Sequence, residues 1–431
     1  MSHLTRRFAL VSALALALVL PAASAAGPSS TASAKAGCEL QVFSWWTGGG
    51  EAAGLSKLIA IWNKQHKSCP FKNETVAGGA GTNAKAVLAQ RLAAHNPPDS
   101  FQGHAGKELL DYIKAGQVLP IDSIYRKYGF DKIMPEQLIS QIKYKGHLYS
   151  VPVNIHRANV LWYNPKVLAK AGIKGAPNTW AQFVADLKKA KSAGVIPLAL
   201  GEQWTQKHLF ETTLISTLGP AGWNKLWTKG GNWNSAGVKK AIARFDDLLK
   251  NYTNSDAASL TWQDAGKLVV DGKAAFNIMG DWQDGYFSGT TKGGNLAKKP
   301  GVDYKWAAVP GTNGVYDWLS DSFTLPKGAP HAAAAKQWLA FLGSKKAQDT
   351  FNPVKGSIPA RQDANAKLYG PYLKWALKQW KSDKLVGSLT HGVVASNAWN
   401  AAIDQALGVF VQTHDESGFQ KALVSAHGKN A

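Results

Sequence analysis
Short β-prone runs alternate with helical stretches along the first third of this chain, and that alternation limits the fold more than any single residue does. Leu40, Val42 and Phe43 mark a strand that ends in Trp45-Trp46-Thr47-Gly48-Gly49-Gly50-Glu51. Leu55, Leu58, Ile59 and Trp62 then recur at helical spacing. Residues 71–76 predict a second strand and the glycine-rich stretch 78–81 a turn. A helix through Ala94 follows, broken by Pro97-Pro98-Asp99, and Ser100-Phe101-Gln102-Gly103-His104 reads as the end of a third strand. Strand, helix, strand is the pattern of an α/β domain with a largely parallel sheet.

At 431 residues the chain exceeds one ordinary domain, and about two or three are expected. Residues 147–163 form a long β-prone stretch with no helix, a candidate crossover between lobes. Helices are expected at 180–193, 206–218, 236–251 and 262–272, with a strand at 274–279. A second β-prone stretch, 304–325, reads as the return crossover. A helix at 332–343 precedes the Pro/Gly-rich 353–361, and helices at 366–379 and 396–412 follow. With a third crossing near Gly356, each lobe becomes discontinuous: 38–152 with 318–358, and 153–317 with 359–431.

The first residues are processing signal. Arg6 and Arg7 give a positive n-region, Phe8 to Leu20 an apolar h-region, and Ala23-Ser24-Ala25 a small-residue cleavage site. Residues 1–25 therefore read as a signal peptide and 26–37 as a flexible leader, so the expected location is the periplasm. In an exported chain the two cysteines, Cys38 and Cys69, favour one disulfide. A lipid-anchored Cys38 is disfavoured, because it lies far beyond the h-region and Lys35 interrupts the approach. Two thiols are too few for an all-cysteine zinc site; no metal or cofactor is expected.

The net charge is +21, which raises the question of nucleic acid. The lysines are scattered through helices rather than gathered in a tract, so a basic solvated surface is the better reading. Seventeen tryptophans exceed what the core alone calls for and suggest a surface that meets flat apolar faces.

Several blocks resemble the extracellular solute-binding protein family of ATP-driven sugar importers, in particular its glucose-binding receptors. They are FSWWTGGGEAAGL, LAAHNPPDSFQGHAGKELLDYIKAGQVLPID, GHLYSVPVNIHRANVLWYNPKVLAKAGI, PNTWAQFVADLKKAKSAGVIPLALG, GKAAFNIMGDW, AVPGT, DSFTLPKGAPHAAAAKQWLAFL and NPVKGSIPARQD, spread over roughly residues 39–425. The resemblance implies a periplasmic-binding-protein-like fold: two α/β lobes joined by a multi-stranded hinge, with the ligand in the cleft. It also implies a monomeric, non-enzymatic receptor that binds a monosaccharide, glucose first, and delivers it to membrane permease subunits. Galactose, mannose or a disaccharide are the alternatives.

A pyranose stacks its C–H faces on aromatic rings and offers its hydroxyls to directional polar partners. Trp45 and Trp46 sit at a strand end, where α/β sheets bind ligands, and Trp282 in Gly280-Asp281-Trp282 follows the strand 274–279. The resemblance assigns hydroxyl contacts to Gln102, His104, Asp321, Lys355 and His391. Asp321 and Lys355 also stand on their own, as an acceptor and a donor in predicted loops. Glu51 is read either as a sugar contact or as an acid stabilising the start of its helix.

Three rival readings fit the residues less well. Gly48-x-Gly50-x-x-Ala53 fits a dinucleotide fingerprint, but Glu51 would then face a pyrophosphate. A secreted glycoside hydrolase needs two carboxylates across the glycosidic bond, and only Glu51 and Asp321 are acidic among the cleft candidates. Iron or polyamine capture calls for clustered tyrosines and histidines or for several acids, and the mixed His, Lys and Gln set fits a neutral polyol better.

Overall fold
The computed structural model describes residues 37–431. The signal peptide assigned to 1–25, and the leader as far as residue 36, lie outside the described residues.

Two principal sheets organise the described chain. The first has the strand order Phe71–Thr75, Leu40–Ser44, Ser100–His104, Asp321–Thr324, Ser150–Pro152. Leu40–Ser44 runs parallel to both of its neighbours, whereas Asp321–Thr324 is antiparallel to its own two. The second sheet has the order Lys305–Ala308, Val160–Tyr163, Ala274–Met279, Ile196–Ala199. Ala274–Met279 is buried at every residue, as expected of a strand covered on both faces.

Both β-prone stretches carry the chain between the sheets. The first leaves Ser150–Pro152, passes through the short strand His156–Arg157 and joins the second sheet at Val160–Tyr163. The return runs from Lys305–Ala308 through Val315–Leu319 to Asp321–Thr324. The two crossing strands pair with each other, Trp318 opposite Arg157 and Leu319 opposite His156, and Lys384–Gly387 lies parallel on the far side of Val315–Leu319. A third crossing pairs on the first: Ile155 N–H donates to the Ile358 carbonyl at 2.7 Å, and Ile358 N–H returns the bond at 3.1 Å. The result is a two-lobed α/β fold with a hinge of paired strands.

Helix positions follow the apolar spacing with local differences. The helix expected at 206–218 runs over Gln203–Leu226, with non-helical backbone at Gly219 before Pro220. The Pro/Gly-rich 353–361 is not all loop, because Lys345–Lys355 is helical through Pro353. A proline in the last turn forfeits one backbone bond after the helix is already built, and the chain leaves it at Gly356. The helix expected at 366–379 starts at Pro371, where a missing N–H costs nothing, and runs to Ser382.

Gly50 has a packing role. A Cβ there would lie 2.5 Å from the Val354 carbonyl, so the glycine lets the helix Gly49–Gln65 rest directly on Lys345–Lys355. That close approach accounts for the middle glycine of the apparent dinucleotide fingerprint.

Cys38 and Cys69 are disulfide-bonded across a sequence separation of 31 residues, beside the backbone bond from Leu40 N–H to the Pro70 carbonyl (2.9 Å). Closing a loop of that length stabilises the fold by roughly 3–4 kcal/mol in the chain-entropy model. Replacing both cysteines with alanine should lower the unfolding free energy by about 2–4 kcal/mol in denaturant titration. An unchanged midpoint would show that the bridge does not constrain the unfolded chain.

Candidate sugar-binding site
The site grows from the ends of strands. Leu40–Ser44 and Ser100–His104 deliver Trp45 and His104 to one edge of the first sheet, and the antiparallel register sets Asp321 directly opposite His104. In the second sheet, Ile196–Ala199 and Ala274–Met279 are parallel neighbours, and their carboxyl ends lead to Glu202–Trp204 and to Asp281–Trp282. These edges border a cavity of about 610 Å³, within the range of small-molecule sites. Its wall includes Trp45, Glu51, His104, Trp282, Asp321, Lys355 and His391.

Two expected residues lie behind the wall. Trp46 is 1% exposed, and its ring packs 4.7 Å from Phe351 and 5.4 Å from Phe323. Trp45 lines the cavity, whereas Trp46 turns into the core between those two rings. Gln102 is buried as a brace: its Nε2 donates to Asp321 Oδ1 at 2.8 Å, and its Oε1 accepts from Trp45 N–H at 3.3 Å. Asp321 and Lys355 are also not loop residues, since one opens a strand and the other closes a helix.

The aromatic surface comes from both lobes. Trp282 folds back over Gly280, where a Cβ would come within 2.2 Å of its ring, so only glycine admits this rotamer. His156 and His391 approach Trp282 edge-on at 5.3 and 5.2 Å, and Lys355 Nζ lies 5.7 Å from its ring centre. Trp204 adds a third indole, anchored by its Nε1 donating to Glu202 Oε1 at 2.9 Å.

The polar groups are joined to one another. Lys355 Nζ donates to Glu51 Oε1 at 2.7 Å, which accounts for this acid at the start of its helix. His104 Nδ1 lies 2.9 Å from Glu108 Oε2, which also takes Lys85 at 2.8 Å. Asp321 accepts at Oδ2 from Asn154 Nδ2 (2.8 Å), with His156 Nε2 at 3.2 Å. Burial opposes its charge, but the hydrogen bond and charge of His156, with Lys355 and His104 nearby, hold its carboxyl well below the usual range. Burial likewise opposes a charged His156, yet Asp281 and the bonds to Asp281 and Asp321 outweigh it and raise the ring's pKa. His391 moves the other way: burial, and then the neighbouring His104, His208 and Lys85, press it well below the ordinary histidine value. It is a neutral ring at neutral pH, able to accept as well as donate.

Trp204, Glu202, His156, Trp262 and Tyr286 also line the cavity and were not anticipated. Trp204 and Glu202 were within reach of the rule that selected Trp45, because they follow the end of Ile196–Ala199. His156 gave no such signal, since its place depends on the pairing of the crossing strands.

The profile of the bacterial extracellular solute-binding proteins matches residues 45–349. The chain belongs to that family. An ABC transporter extracellular-binding protein of Pyrococcus horikoshii is 38% identical to this solute-binding protein over 397 residues, covering 91% of this chain and 88% of the relative. A "Probable sugar-binding periplasmic protein" of Rhizobium meliloti is 33% identical over 378 residues, covering 87% and 88%. Among solved structures, the bacterial solute receptor AcbH, described as having an exclusive preference for β-D-galactopyranose, superposes with a TM-score of 0.78 at 22% identity. That superposition covers 91% of this chain and 98% of AcbH, and establishes the shared fold. The match and the shared fold together make this chain a bacterial extracellular solute-binding protein.

Trp46 gives a direct test of the wall assignment. Trp46→Ala should lower stability by about 3–5 kcal/mol, as truncation of a large core aromatic does, measured by chemical unfolding. A loss below about 1 kcal/mol would mean that the ring is not a core residue.

Proposed function
We propose that this receptor binds one pyranose, glucose first, between the lobes 38–152 with 318–358 and 153–317 with 359–431, and presents it in the periplasm to membrane permease subunits. The observation that carries the reading is the pairing of indoles with hydroxyl partners on one cavity wall. Trp45, Trp204 and Trp282 offer flat apolar faces, while Asp321, the Lys355–Glu51 pair, His104 and neutral His391 converge beside them. A pyranose is complementary to that mixture, because its ring faces are apolar and its rim is polar.

The electrostatics favour binding over hydrolysis. A glycosidase needs one carboxyl raised to act as general acid. Asp321 is held in its charged form, and Glu51 is tied to Lys355. A second reading, a disaccharide, draws support from the remaining lining residues. Thr261, Trp262, Gln263 and Tyr286 add a further aromatic pair and polar groups to the lining.

The test is calorimetric titration with glucose, galactose, mannose and a panel of disaccharides. Trp45→Ala should weaken every bound pyranose by about 2–4 kcal/mol, as loss of a buried aromatic anchor does. Asp321→Asn should instead reduce discrimination between epimers, because a hydrogen-bonding site rejects analogues by stranding its polar groups. Parent-like binding by both variants would place the sugar elsewhere.

The wall side chains are buried: Asp321 is 3% exposed, Lys355 2% and Trp282 5%. Because those side chains come from both lobes, sugar binding should favour a closed form over an open one that the empty receptor samples. Solution scattering should show a smaller radius of gyration at saturating sugar. An identical radius with and without ligand would rule out a hinge of this kind.

A further inference from the structure
The crossing strand places His156 between two buried carboxylates that belong to different sheets. Its Nδ1 is hydrogen-bonded to Asp281, at the end of Ala274–Met279, and its Nε2 lies 3.2 Å from Asp321 Oδ2, at the start of Asp321–Thr324. The ring is 1% exposed, and the two acids are 0% and 3% exposed. We propose that His156 is a positioning residue, kept doubly protonated between Asp281 and Asp321, which pins the polar wall of the sugar site across the two lobes and makes sugar affinity fall as the medium turns alkaline.

A neutral imidazole has one N–H and one lone pair, so it can donate to only one of the two acids and turns its lone pair toward the other. The imidazolium donates to both. Asn154 restricts the choice further. Its Oδ1 accepts from Asp321 N–H at 2.9 Å, which fixes the amide and directs its Nδ2 to Asp321 Oδ2 at 2.8 Å. That Nδ2 also lies 2.9 Å from His156 Nε2, so the neutral ring has one alternative arrangement, accepting from Asn154 while facing Asp321 with its lone pair.

The surrounding charges argue against that arrangement. The groups facing the ring are Asp281, Asp321, Lys355 and His391, with Trp282 edge-on at 5.3 Å. Lys355 is already paired with Glu51. Without a proton on His156, two buried carboxylates face the ring with Lys355 as their shared cation, and burial already pushes the Asp281 carboxyl up. Arg157 N–H supports the same bridge from the backbone, donating to Asp281 Oδ2 at 2.9 Å. The raised pKa of the ring agrees in direction: its two acids favour the charged form, which is lost as pH climbs through the folded value.

The proposal rests on the sugar-binding reading for its affinity arm alone. The parent, His156→Gln and Asp281→Asn are titrated with glucose, or with the tightest monosaccharide of the panel, from about pH 6 to about pH 10. The parent's dissociation constant should rise on the alkaline side by up to roughly tenfold per pH unit. His156→Gln should bind more weakly and lose that limb below the lysine range. Asp281→Asn should move the limb to lower pH, a shift that a purely structural role would not produce. Independently of any sugar, nitrogen NMR of histidine-labelled parent protein should show one buried ring carrying two N–H protons at neutral pH. A neutral ring, or a flat parent profile below the lysine range, would overturn the proposal. A parent that binds no sugar would overturn the functional reading, and the NMR arm would still decide the state of His156.

Discussion
Asp321 owes its place to backbone pairing, and the rest of the polar wall is arranged around it. The antiparallel register with Ser100–His104 puts it opposite His104 at the sheet edge. One residue of slip would send its carboxylate to the other face and bring Ser322 forward. With the register fixed, Gln102 reaches Oδ1 from the same face of the neighbouring strand, and Asn154 and His156 reach Oδ2 from the crossing segment. The partners come from two distant stretches of chain, the strand Ser100–His104 and the first crossing. The site is therefore a consequence of the whole first sheet plus one crossing, which is why it cannot form before the return crossover has joined that sheet.

The hinge couples that wall to the second lobe through packing as well as charge. Arg157, fully buried beside His156, is sandwiched between Tyr316 and Trp375 at 4.9 and 4.6 Å, and it donates to Asp383 and to the Val315 carbonyl. Its planar guanidinium satisfies both stacking and hydrogen bonding, a combination that lysine cannot supply. On the second sheet, Trp162 packs 4.8 Å from Tyr372, which also meets Trp306. Several of the seventeen tryptophans are used here and at Trp46, Trp62 and Trp338, in the core rather than at the wall. The surplus that suggested stacking surfaces was thus only partly about ligand.

Much of the architecture was legible because strands and helices differ in period. The strand at 274–279, the helix at 236–251 and both crossings stand where apolar spacing put them. What the spacing missed depended on pairing or packing. Trp45 and Trp46 looked equivalent as neighbours at a strand end, yet Trp46 packs on Phe351 and Phe323 while Trp45 lines the cavity. Lys355 looked like a loop residue because Pro353 precedes it, but packing against the helix Gly49–Gln65 holds the last turn in place. His156 sits in a β-prone run with no local mark of function, since the two acids that define it lie 125 and 165 residues away.

The pairing of charges also bears on what the cavity accepts. Glu51 is matched by Lys355, Glu108 by Lys85 and His104, and Asp321 by His156 and two amides. A charged ligand that competed for one of these pairs would leave a buried charge uncompensated, which costs several kcal/mol. An uncharged polyol needs no such exchange. It can add hydrogen bonds to the lone pairs and N–H groups that remain free, while the indoles cover its apolar faces. Because those polar groups are already held in place by their partners, little ordering is left for the moment of binding. Such a wall suits the reversible capture of a neutral ring that we propose.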